Sequence, residues 1–100
     1  MNSSYDPVRR AWEKAAKARE RAELESERAD RADERVSDAQ READEAPDER
    51  SKAAHEREMQ THTRAVRVHK DAARAQEQAV KLNEEHIAHL EQQQAGRDGS

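Results

Sequence analysis

Five histidines hold most of the reactive potential of this chain, and all of them fall in its second half, at positions 55, 62, 69, 86 and 89. Imidazole can bind a metal ion or take up a proton near neutral pH. His55, His62 and His69 recur every seven residues. On a helix that spacing is two turns, about 10.5 Å, so these three rings cannot converge on one ion from a single helix. The Glu-x-x-His pattern of di-iron bundles is absent, because Lys52, Met59, Val66, Asn83 and His86 stand three residues before the five histidines. His86 and His89, with Glu85 beside them, form the candidate metal pair. Two histidines near a helix end equally suit the negative pole of the helix dipole. The expectation is therefore no metal and no other cofactor.

Proton uptake is the second possible chemistry. His55, His62, His69, Gln76, Asn83 and Leu90 make one column at seven-residue spacing. Polar residues inside a helical interface fix register and oligomeric state at a cost in stability. Placed there, the rings would loosen the interface on protonation between about pH 7.5 and 5.5. At the edge of the interface they would be solvated and inert. Glu25 is the counterpart in the first half, a carboxylate in an otherwise small and apolar row. If the chain turns near Pro47, Glu25 falls opposite His69 or Lys70 and a pair with His69 would set the register. Trp12 then falls opposite the region from Leu82 to His86, as an anchor of the open end or a partner-binding spot, since aromatics dominate interface hot spots.

No other chemistry is supported. There is no cysteine, which excludes disulfides, thiolate metal sites and cysteine nucleophiles. There is no Gly-rich phosphate loop and no nucleophile elbow, and the acidic residues lie on helix faces that water covers. An enzyme is not expected. The 19 basic and 23 acidic residues are interspersed to a net charge of −4. That pattern gives a solvated helix surface and no basic stripe for phosphates. One Trp and one Tyr cannot build a stacking platform for bases, so no nucleic-acid partner is expected. No apolar run is long enough for a membrane span or a signal-peptide core, and a cytoplasmic location is the expectation.

The elements that must position these residues are helices. Hydrophobic residues make up 32% of the chain, and 19 of those 32 are Ala. An Ala-dominated core cannot offset the backbone entropy of a compact globule. Ala, Glu, Arg, Gln and Lys are strong helix formers, however, and no Gly occurs before position 96. After a flexible lead at 1–5, Asp6-Pro7 reads as a helix start, and the first helix is expected over 6–46. Its row Val8, Ala11, Ala15, Ala18, Ala22, Glu25, Ala29, Ala32, Val36, Ala39, Ala43 and Ala46 alternates spacings of three and four. This is an a/d seam of small residues. Lys14, Arg21, Arg28 and Arg35 fill another column, and Glu13, Glu20, Glu27 and Glu34 a further one.

A second helix is expected over 47–95, with Gly96 as its stop and a disordered tail over 96–100. Its apolar face is broad. Met59, Val66, Ala73, Val80 and Ile87 form one column, Ala65, Ala72 and Ala79 another, and Ala54, Val68, Ala75 and Leu82 a third, with the His column between the first two. A face wider than a two-stranded seam implies more than one neighbour. Met59, His62, Val66, His69, Ala73, Val80, Ile87 and Leu90 are the expected interface residues. Two architectures follow: an antiparallel, Ala-rich helical hairpin that dimerises into a four-helix bundle, or one long helix kinked at Pro47. Continuing the first seam past Pro47 meets Arg50, Arg57, Arg64 and Arg67, so the apolar face moves as it should if the chain turns. The hairpin is favoured.

The function expected from these residues is a non-catalytic coiled-coil oligomerisation or adaptor module. It would bind itself, as a homodimer, or another helical protein. Two alternatives stand beside it. One is a segment that becomes helical only on meeting a partner. The other is a binding protein whose histidines respond to pH or metal.

Overall fold

Asp6 starts the first helix. Its carboxylate accepts hydrogen bonds from the backbone N–H of Val8 (3.1 Å) and Arg9 (3.3 Å), satisfying two of the donors that a helix start leaves without partners. The computed structural model describes residues 6–98. Helix α1 spans Pro7–Glu45 and helix α2 spans Glu49–Asp98. Among the described residues only Asp6, Ala46, Pro47 and Asp48 are not helical. The chain is an antiparallel helical hairpin, and the kinked single helix is thereby excluded.

The reversal needs no glycine. Ala46 N–H bonds the carbonyl of Ala43 at 3.3 Å, tightening the end of α1, and none of the described residues has positive φ. Pro47 cannot continue α1 because it lacks an N–H. Asp48 then caps α2 by accepting from Ser51 N–H at 2.7 Å. A helix beginning at 47, as expected, would put Asp48 inside its first turn; α2 begins at Glu49 and Asp48 is the cap itself. The bonds from Ser51, with a further one from the Arg50 backbone, hold the Asp48 carboxyl below its ordinary range.

At the other end α2 runs past the expected stop. Gly96 is helical and has no positive φ, so it does not serve as a left-handed terminator. A helical Gly costs only about 1 kcal/mol relative to Ala. That is too little to end a 50-residue helix one turn early. The disordered tail over 96–100 is therefore corrected for 96–98, and the flexible lead at 1–5 lies outside the described residues.

The hairpin divides into two units, one built from the segments up to Ala22 and from Arg74 onward, the other from Glu23–Ala73. In the first, Ala11, Ala15 and Ile87 form a buried cluster with Leu90 packed on it. The second contains the turn. Its buried residues are Ala29, Ala32, Ala39, Ala43 and Ala73. Along α1 and Ala46 just beyond it, the residues that are not exposed are the twelve of the a/d row from Val8 to Ala46, and no others. Ala side chains let the backbones of the two helices approach closely. They are also too short to cover the longer side chains of α2, which is why Met59, Val66, Val80 and Leu90 stay half-buried.

Candidate functional site

On α2 the seam is formed by two columns. Residues 55, 59, 62, 66, 69, 73, 76, 80, 83, 87 and 90 alternate spacings of four and three, and every one of them is at least partly buried. All eight expected interface residues belong to this row, so the surface they line is the one turned toward α1. Ala65, Ala72 and Ala79 flank it, partly buried. The remaining apolar column divides. Ala54, near the turn, is partly buried, while Ala75 is exposed, and Val68 and Leu82 are 63% and 58% exposed.

The His column thus lies within the seam and not on its solvated edge. His69 meets Glu25, with Nδ1 2.7 Å from the carboxylate. An ionised carboxylate can only accept, so the tautomer that fits carries its proton on Nδ1. Arg28 donates to the other oxygen of Glu25 at 2.7 Å, from the next turn of α1. The hydrogen bond from His69 is the largest influence holding the Glu25 carboxyl below its ordinary range; partial burial opposes it, and Arg28 adds to it. The one charged residue of the α1 seam is therefore doubly satisfied, and its two partners allow it to sit where an unpaired carboxylate would be costly. Asn83 solves the same problem locally by donating to the carbonyl of Ala79 at 2.9 Å.

This geometry gives two expected results. In a double-mutant cycle of Glu25→Ala and His69→Ala, the double variant should lose less thermal stability than the two single losses added together. Simple additivity would mean that the pair does not act as a unit. The pH dependence has a definite sign. Carboxyls whose folded pKa is depressed contribute stability above their ordinary pKa, and that contribution is lost as the pH falls through the folded value. Glu25 and Asp48 therefore support the hairpin fully at neutral pH, and that support fades as the pH falls below the ordinary carboxyl range, about 4, toward their depressed folded values. Melting temperatures between pH 6 and 3 should fall less steeply for Glu25→Gln than for the parent chain.

Sequence reasoning missed the surroundings of His55. Its Nδ1 stands 3.1 Å from Glu42 and 3.7 Å from Glu58. The spacing of His55 and Glu58 was visible on one helix. Glu42 lies across the turn, and the Glu25–His69 register was the signal that could have found it. His55 and His69 thus each face carboxylates, His69 across the seam and His55 both across the turn and along its own helix.

The other singled-out residues lie outward. His86 and His89 are exposed. Trp12, beside the seam, is 47% exposed. Arg19 reaches Glu84 at 2.8 Å, a bridge with both side chains about half in water and worth at most about 1 kcal/mol. Among the described residues no helix is long and apolar enough to cross a membrane. Comparison with family models, curated proteins and solved structures finds no match for this chain.

Proposed function

We propose that this chain is a non-catalytic helix-packing module that self-associates through the outer face of α2. The observation that carries this reading is the exposure of Val68 and Leu82, two large aliphatic side chains on one helical column. They lie beyond the Ala65, Ala72 and Ala79 column that flanks the seam α1 already occupies. Scattered exposed apolar residues are ordinary, but a repeat at multiples of seven is the pattern by which one helix receives another. The mixed surface charges around the column keep the single chain soluble and suit a second copy with the same mixture. A two-fold dimer of hairpins would bring this face of one chain onto the same face of the other, giving a four-helix bundle. A helix from another protein would meet the same residues.

Sedimentation equilibrium tests the proposal. The expected mass at high concentration is twice the 11.5 kDa of one chain. Val68→Glu combined with Leu82→Glu should return it to the single-chain mass with helicity retained. A single-chain mass at every concentration counts against self-association, and so does a dimer indifferent to both substitutions.

A further inference from the structure

We propose that Glu42, His55 and Glu58 form a binding site for a divalent transition-metal ion of the zinc class, closing the hairpin across its turn. The three side chains offer one nitrogen and two carboxylate oxygens, all within 4.8 Å of one another. Glu42 comes from the last turns of α1, and His55 and Glu58 from one turn of α2.

The ring nitrogen supplies the second observation. His55 Nδ1 is shielded from solvent and has no hydrogen-bond partner, although a Glu42 oxygen lies only 3.1 Å away. At that distance a failed hydrogen bond means that the carboxylate sits off the axis of the nitrogen. Buried ring nitrogens left in this way are uncommon. An oxygen beside the lone-pair axis is poorly placed for an N–H···O bond and well placed to share an ion lying on the axis.

The dimensions fit. Zinc sits about 2.0–2.2 Å from nitrogen and oxygen ligands, which places two ligands of a tetrahedral ion about 3.4 Å apart. The two distances from His55 Nδ1, 3.1 and 3.7 Å, bracket that value. Two carboxylates and a neutral imidazole are also a sensible donor set, because imidazole favours transition metals over magnesium or calcium. The side chains of Glu42 and Glu58 are 48% and 54% exposed. Solvent can therefore reach the site, and water fills the remaining coordination positions. Because the ligands come from both sides of Ala46, Pro47 and Asp48, the ion cross-links the two helices where they are joined. Metal affinity and hairpin stability are thereby linked.

The test is a zinc titration of the full chain by calorimetry and thermal melting at about pH 7.5, where histidine is largely neutral. The expected result is one ion per chain and a higher melting temperature. His55→Ala and the isosteric Glu58→Gln should each weaken binding by about an order of magnitude or more. His86→Ala combined with His89→Ala should leave it unchanged. Glu58→Gln alters an exposed side chain, so it reports on the site even if His55→Ala disturbs the fold. Absence of stoichiometric binding overturns the proposal. Binding that survives His55→Ala and Glu58→Gln, or that is lost with His86 and His89, also overturns it.

Discussion

Replacing Ile87 with Ala should lower the unfolding free energy by about 2–4 kcal/mol and the melting temperature by roughly 10 °C or more. Among the described residues Ile87 is the one branched aliphatic side chain in the buried core, 2% exposed, while the other buried residues are all Ala. It packs against Ala11 and Ala15. Those neighbours are too short to move into the space it would vacate, so the lost contacts are not recovered by collapse. A chain with so little apolar surface has few other sources of stability, which makes this one side chain disproportionately important. Leu24 provides the comparison. It is 42% exposed, and Leu24→Ala should change stability by no more than about 0.5 kcal/mol. Urea unfolding followed by circular dichroism measures both. Equal losses at the two positions would mean that the helices do not meet along the seam described here.

The second large effect comes from adding volume. Ala15 is completely buried, whereas Ala16, one residue further on, is exposed. Ala15→Leu inserts three carbons into a position already filled by Ile87, with Leu90 packed beside it. It should cost about 1–3 kcal/mol through off-rotamer side chains and displaced backbone. Ala16→Leu changes the same residue type by the same volume and should be near neutral, since Leu and Ala are both strong helix formers. The pair is sensitive to the phase of the seam. A one-residue error would exchange the two outcomes, and denaturant midpoints would reveal it.

The two helices differed in how openly they declared themselves. The α1 seam was readable because eleven of its twelve positions are small and apolar while other columns of the same helix are charged, Glu at 13, 20, 27 and 34 and Lys or Arg at 14, 21, 28 and 35. Nothing polar competes for the buried stripe except Glu25. That exception was also interpretable, since a turn near Pro47 places it opposite His69. On α2 the buried stripe contains His, Gln and Asn. Hydrophobicity alone could not separate the seam columns from the equally apolar Val68–Leu82 column, and only packing against α1 decides which is covered. The place of the turn was marked by Pro47, but its geometry was not: the chain reverses without positive φ by using Ala46, Pro47 and the Asp48 cap. Gly96 misled, because a glycine tolerated within a helix looks the same in sequence as one that ends it. The grouping of Glu42 with His55 depends on the register across that turn, which no local spacing records.

Self-association through the outer face of α2, with α1 confined to the inner seam, is most directly tested by thiol reactivity. The chain has no cysteine, so one introduced thiol reports on one position. Alkylation rates would be compared for Val68→Cys and Ala32→Cys, each in dilute and in concentrated protein. Val68 is 63% exposed and Ala32 only 3%. The predicted result is a Val68→Cys thiol that reacts quickly when dilute and becomes protected when concentrated, beside an Ala32→Cys thiol protected throughout. A Val68→Cys thiol that reacts equally fast at both concentrations would contradict the account, as would an Ala32→Cys thiol that keeps pace with it.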